Sequence, residues 1–408
     1  MVPKRVLLFG CFDLGPGYPR TRSLLQAFEA LGVETECLHR DLLPVRGRRL
    51  ETAANPLRWP GAALRFLLGA RRLETELRDL LERKSFDALL VPYPGYFVAP
   101  IAARCFGGPI LLDLFLSLPD TVIGDRRMFR KGGLVDRILQ VFEQRAIDHV
   151  DHVLLDTPEQ ARFLAETTGQ AEEKFSFVPI GDPDAPEEAF PFPEGQERLE
   201  VLYIGTGVPL HGVEVLLDAV ARVDGVRLTF VGGMPEQRRR AEALGKEKVH
   251  LCTEWQSAED LRRLLRETHL VAGIFGTSEK AQRVLPFKLM HGFAAGRAVV
   301  TGDTSAVKTL CDPGRDVMTV PVGDVEALAR ALDGLRGEWD LCRRVGLEAR
   351  RSYERRFAPS ALGARLRLAL ELVSGESWGA AASFAGAESS TSSFGERPRT
   401  NEAPALNP

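Results

Sequence analysis

Residues 273 to 309 read GIFGTSEKAQRVLPFKLMHGFAAGRAVVTGDTSAVKT and hold the side chains best suited to chemistry. Two cations, Arg283 and Lys288, flank Pro286. An apolar strand expected over Leu270–Ile274 feeds a polar loop, Gly276 to Leu285. Pro286 then opens a helix at a position where its missing N–H does no harm. Ala294, Ala295 and Gly296 close that helix, and a second strand is expected at Ala298–Thr301. A helix start leaves N–H groups unpaired and puts the positive end of its dipole beside Lys288 and Arg283. Such a corner suits an anion, phosphate above all. It would lie outside the carboxyl end of a parallel strand, where open α/β sheets bind their ligands.

The elements that must position these residues recur along the chain. Short apolar runs alternate with helix-length amphipathic segments, the pattern of parallel α/β sheets. In the first half strands fit Arg5–Gly10, Glu34–Leu38, Ala88–Val91, Pro109–Leu112, His152–Leu155 and Phe175–Val178. Residues Gly181–Glu197 (GDPDAPEEAFPFPEGQE) break the pattern with prolines and acids and read as a linker. The same grammar then restarts, with strands expected from Glu200–Ile204 to Ala298–Thr301. Residues 374–408, rich in Ser, Ala, Gly and Pro, read as a disordered tail.

A chain of 408 residues is too long for one ordinary core, so two domains are expected. With 44% hydrophobic and 27% charged residues the composition is that of a globular protein. A net charge of −3 lacks the basic excess of a nucleic-acid binder, so no nucleic-acid partner is expected. Six scattered cysteines without a CxxC pair argue for a reducing, cytoplasmic compartment. The apolar run at the N-terminus is too short for a signal peptide, and no stretch of about 18 apolar residues exists to span a bilayer. No third ligand stands near His149 and His152 to complete a metal site. GxGxxG is missing after the first strand, which disfavours dinucleotide chemistry.

The segment 57–83 mixes Trp59, Phe66, Leu67 and Leu68 with Arg58, Arg65, Arg71 and Arg72. Two readings stand: a peripheral contact with a membrane interface, or a packed helix with an arginine-rich outer face.

Taken together, the motifs make the second half resemble the nucleotide-binding domain of GT-B glycosyltransferases, closest to family 4, the retaining group 1 enzymes. The matching pieces are YIGTGVPLHGVEVLLDAV (203–220), FVGG (230–233), the 273–300 stretch and GDVEALARAL (323–332). The first half is similar to the acceptor domain of those enzymes through GPGYPRTR (15–22), DALLVPYPG (87–95), LLDLFLSLPDTVIGDR (111–126), DHVLLDTPEQARFL and VPIGDPD. The resemblance spans roughly residues 4 to 373. It implies two Rossmann-like parallel-sheet domains facing across a cleft: residues 1–190 on the acceptor side and 197–355 on the nucleotide-sugar side. A C-terminal helix, 356–373, is expected to cross back onto the first. It further implies transfer of a sugar from a nucleotide-diphosphate donor to a glycan, lipid-linked or small-molecule acceptor, with retention. It implies that neither a metal nor a cofactor is required, and the expected place of action is the cytoplasm, extending to the inner membrane face.

The family's residues carry over unevenly. Its Lys in a KG pair becomes His211, before Gly212, so a fixed charge has become a titratable one. Gly205 ends the strand before it, and Lys288 and Arg283 are the candidates to supply the missing charge. Two family carboxylates are replaced by His291, at the ribose position, and by Arg283, eight residues earlier. Glu279 is then the nearest acid for a sugar-facing role. In the first half Gly15 and Gly17 allow backbone to approach the donor, and Arg20 is expected on a phosphate or the acceptor. Where relatives carry a His, this chain offers Asp120 as the orienting or acid/base group. Asp182-Pro183-Asp184 matches the DxD of metal-dependent GT-A enzymes, but in a linker context. Two other readings remain: a nucleotide-sugar epimerase of the same fold, and an idle relative that binds a glycan or scaffolds other enzymes.

Overall fold

The computed structural model describes residues 3–15, 17–42, 59–126, 128–194 and 197–373. Two six-stranded parallel sheets organise them. The first is built from β1 (Arg5–Gly10), α1 (Pro19–Ala30), β2 (Glu34–His39), α2 (Trp59–Arg83), β3 (Ala88–Val91), α3 (Ala99–Cys105), β4 (Ile110–Phe115), α4 (Leu134–Asp148), β5 (His152–Leu155), α5 (Pro158–Thr168) and β6 (Phe175–Phe177). Its strand order is β2-β1-β3-β4-β5-β6. Strands β1, β3 and β5 are buried almost from end to end, as parallel strands covered on both faces must be.

The second sheet comprises β7 (Leu199–Gly205), α6 (Val213–Arg222), β8 (Val226–Gly232), α7 (Pro235–Ala243), β9 (Val249–Cys252), α8 (Ala258–Arg266), β10 (Leu270–Ala272), α9 (Glu279–Arg283), α10 (Phe287–Ala295), β11 (Ala298–Gly302), α11 (Ser305–Leu310), β12 (Met318–Val320), α12 (Val325–Leu335) and α13 (Trp339–Arg356). The order β12-β11-β10-β7-β8-β9 reverses direction between β7 and β10. That reversal is the topological switch point, where the crossovers leave to opposite faces and open a crevice at the strands' carboxyl ends. The segments after β7 and β10 are those that carry His211 and Lys288.

Three local expectations are revised. The loop expected at Gly276–Leu285 contains a helical turn, α9, because the Ser278 hydroxyl accepts the Ala281 N–H and caps it. Pro286 is the residue before α10 rather than its first, with extended backbone (φ −72°, ψ 132°). Strand β10 stops at Ala272, two residues early, where the Ile274 N–H takes the Thr301 hydroxyl rather than a backbone carbonyl.

The 181–194 segment forms no helix or strand and is laid along the second lobe. There Arg297, fully buried, donates to the carbonyls of Phe190 (3.1 Å) and Pro191 (2.7 Å). A last helix, α14 (Pro359–Val373), returns to the first sheet and packs Leu362, Leu366 and Leu370 with Leu8, Leu24 and Phe28. Among the described residues no helix is long and apolar enough to cross a membrane.

Candidate active site

At the switch point two backbone loops touch. Gly212 has φ +57°, and a Cβ there would meet Gly276 N and Phe275 C at 2.5 Å; a Cβ on Gly276 would stand 2.4 Å from Leu210 O. Only glycines permit this approach. The loops are stitched by Phe275 N–H to His211 O (3.0 Å) and Gly276 N–H to Leu210 O (3.2 Å).

This stitching aims His211 and Lys288 at one point. The His211 Nδ1 and the Tyr203 hydroxyl share a hydrogen bond of 2.8 Å. The Lys288 Nζ sits 4.2 Å from the centroid of the Tyr203 ring. A Cβ added to Gly205 would fall 3.0 Å from His211 Cε1 and 3.1 Å from Lys288 Nζ, so a bare glycine keeps this corner open. Lys288 is only 5% exposed, and its Nζ is buried without a hydrogen-bond partner among the described residues. Burial alone pushes its pKa well below the ordinary lysine value. His211 is likewise pushed well down, by burial first and by Lys288 second. A buried donor without a partner is an incomplete arrangement, and an anion is the kind of group that can complete it.

A second cluster lies at the seam between the lobes. Phe115, ending β4, has φ +58°, a strained value for a bulky residue, and the chain beyond it swings into a π-helical turn, Asp120–Asp125. That turn meets α9. Arg283 pairs with Asp120 at 3.0 Å, and both are largely shielded from solvent. Lys280 donates to the Thr121 hydroxyl at 2.6 Å, and Asp125 accepts the Leu210 N–H at 3.0 Å. The Thr157 hydroxyl donates to the Arg283 carbonyl at 2.5 Å. Leu116 adds an apolar contact against Ile274, Ala281 and Val284.

Several polar atoms at this seam are buried without partners: Asp120 Oδ2, Arg283 Nε, Asp156 Oδ1 and both amide atoms of Gln160. Burial lifts the Asp156 carboxyl to about 7, against the pull of Arg20 and Lys280. Burial also lifts Glu143 to about 7, although it accepts bonds from Leu118 N–H and the Ser117 hydroxyl.

The candidates named from the sequence therefore divide. Gly205, His211, Gly212 and Lys288 share one corner, while Asp120 and Arg283 face each other across the seam. Glu279 is exposed on the first turn of α9. Gly15 gives its N–H to Asp13 (2.7 Å) and Gly17 takes φ +83°, forming a tight turn ahead of α1.

Arg20 requires a correction, since all five of its N–H donors are spent inside the first lobe. Its guanidinium is 4% exposed and pairs with buried Asp113 at 2.7 Å. It also bonds the carbonyls of Leu155, Val178 and Pro179. It ties three strand ends together and has no donor left for a phosphate.

His291 donates from Nδ1 to Asp182 at 2.7 Å and packs on Phe287, fastening α10 to the inter-lobe segment. The DxD acids are thus engaged, Asp182 with His291 and Asp184 with Arg22 at 2.6 Å. Sequence reading passed over Tyr203, Lys280, Asp156, Glu143 and Gln160. For most of them the local sign was a place at or just after the ends of β5, β7 and β10; nothing local marked Glu143, which stands in α4.

The doubly wound halves, the crevice at the switch point and the seam define a GT-B protein. A glycosyl transferase 4-like domain model matches residues 18–181, and a glycosyl transferases group 1 model matches residues 198–337. The chain belongs to the group 1, family-4-like glycosyltransferases. No curated protein matches it in sequence. Among solved structures it is similar to sucrose-phosphate synthase from Thermosynechococcus elongatus, with TM-score 0.67 and 16% identity over 89% of this chain and 97% of that one. It is also similar to Anabaena HepE in complex with UDP-glucose (TM-score 0.60, 15% identity, 90% and 99% covered). A third likeness is to the lipopolysaccharide outer core galactosyltransferase WaaB (TM-score 0.59, 15% identity, 90% and 99% covered).

Proposed function

We propose that the chain moves a sugar from a nucleoside-diphosphate donor, uridine-based as in the UDP-glucose complex of HepE, to a glycan, lipid-linked or small-molecule acceptor with retention. The observation that carries this is Lys288: a buried amine without a partner, beside a bare glycine and the first turn of α10. The donor's diphosphate seats there, and Lys288 takes up a proton as the anion arrives. Its ammonium and the free N–H groups of α10 then hold the charge that grows on the leaving phosphate.

The amine is shut off from solvent in this conformation, so a donor enters when the lobes part and is enclosed when they meet. Asp120, held by Arg283, orients the reacting sugar or acceptor hydroxyl, and Glu279 reaches the sugar from α9. Because lysine supplies the countercharge, turnover should survive chelation of divalent metals. The reaction is placed in the cytoplasm and at the inner membrane face.

A thermal-shift screen against UDP-, GDP-, ADP- and TDP-sugars tests the reading. One base should raise the melting temperature; a ligand at about a hundred times its Kd adds about 2.7 kcal/mol. The Lys288→Ala variant should lose that response. No shift with any of the four donors in the wild-type protein would overturn the proposal.

A further inference from the structure

In the first lobe, helix α4 buries two acids beside Ala146 and Ile147 and turns four large apolar residues outward. On α4 the acids Asp136 and Glu143 are buried, while Leu134 is 76% and Val141 64% exposed. Ile138 and Phe142 continue the exposed stripe at helical spacing. That arrangement has a cause. Asp136 accepts the Gly132 N–H (2.7 Å) and Glu143 accepts the Leu118 N–H (2.6 Å), so the carboxylates anchor the inner face and turn the apolar side chains outward.

A second exposed stripe, Leu64, Leu67 and Leu68, lies on the first turns of α2. Aromatic rings join the two stripes. Phe66 is 5.7 Å from Phe97, which is 5.3 Å from Phe142, each pair edge-on. The result is one apolar surface rather than scattered leucines, and contiguous surfaces of this kind mark interaction sites.

Its rim decides the partner. Arg65, Arg71 and Arg72 on α2, and Arg130, Lys131, Arg137 and Arg145 on and before α4, are all exposed. Between residues 60 and 73 there is no acid, and between 126 and 147 both acids are the buried ones. A second copy would bring like charges face to face, whereas an anionic lipid surface complements every one of them.

We propose that this α2–α4 face of the first lobe docks on an anionic membrane surface, apolar stripe inserted and cations on the headgroups. It extends beyond the single basic helix legible in the sequence, because α4 contributes the most exposed residues. The same α4 reaches the seam on its inner side through Glu143, bonded to Ser117 and Leu118 just ahead of Asp120. A lipid-linked acceptor would therefore be delivered beside the cleft. That last step rests on the proposed transfer reaction; the docking does not.

Co-sedimentation tests it, with vesicles of phosphatidylcholine mixed with phosphatidylglycerol against vesicles of phosphatidylcholine alone. The wild-type protein should pellet with the mixed vesicles, and salt should release it. The Leu134→Glu/Val141→Glu double variant should stay in solution. Arg71→Ala should weaken binding roughly fivefold. Lys288→Met should pellet like wild type, which separates this proposal from the donor site. The double variant should keep the wild-type circular dichroism spectrum, showing that it folds. Wild-type protein left in the supernatant, or equal pelleting of wild type and double variant, would overturn the docking. So would a dimer in light scattering that the same substitutions abolish, since the face would then belong to a second copy.

Discussion

Replacing Lys288 with methionine should move stability and function in opposite directions. The amine is buried, has no hydrogen-bond partner among the described residues, and stands 4.2 Å from the centroid of the Tyr203 ring. A lysine–aromatic contact is worth about 2 kcal/mol at best when desolvated. Burying an unpaired ammonium costs several kcal/mol, which is why burial drives the amine toward its neutral form; either form is left unsatisfied, so the penalty wins. Methionine fills similar space without a charge, and the empty protein should gain about 1–3 kcal/mol.

The pH dependence has a definite sign. The folded pKa of Lys288 is depressed from 10.5, so between the depressed value and 10.5 the unfolded chain binds more protons. Wild-type stability therefore rises with pH across that window. The methionine variant's advantage is largest at the acid end and fades toward the alkaline end. With donor bound the order inverts. Losing one preorganised cation from a site of growing negative charge costs about 3 kcal/mol, or roughly 10²–10³ in kcat/KM. Urea denaturation across pH, with and without UDP, and steady-state kinetics measure all three effects. A variant less stable than wild type when empty, or one still stabilised by UDP to the wild-type extent, would refute the reasoning.

Further outcomes are expected elsewhere. Asp156 is protonated more readily folded than unfolded, its pKa rising from 3.8 to about 7, so its contribution to stability falls as pH climbs through that interval; Asp156→Asn should flatten this part of a urea-midpoint profile. The Arg283–Asp120 pair bridges the lobes, so a double-mutant cycle should return a coupling of about 1–3 kcal/mol. Arg283→Ala alone should enlarge the radius of gyration in small-angle scattering. Gly276→Ala would drive a Cβ to 2.4 Å from Leu210 O and should cost about 1–3 kcal/mol in a melt. Gly334→Ala, where the new Cβ meets nothing within 4 Å, should instead add about 0.5–1 kcal/mol.

Much of this molecule was open to reading from the chain alone. Alternating apolar runs and amphipathic segments mark parallel sheets because burial on both faces demands continuous apolar strands. The proline before Phe287, the glycines at 205, 212 and 276, and Lys288 beside a helix start speak through local backbone geometry. Local geometry is what a sequence encodes most directly.

Arg20 shows the limit. Its neighbours in sequence suggest a ligand site, yet its five donors go to residues 93 to 159 positions away, and nothing local announces Asp113 as their partner. The meeting of Arg283 with Asp120, 163 residues apart, was likewise decided when two lobes closed on each other. Helix α4 repeats the lesson, since Leu134, Ile138, Val141 and Phe142 face outward while Asp136 and Glu143 found partners inside. Periodicity tells which residues share a face; only the packed structure decides which face is buried.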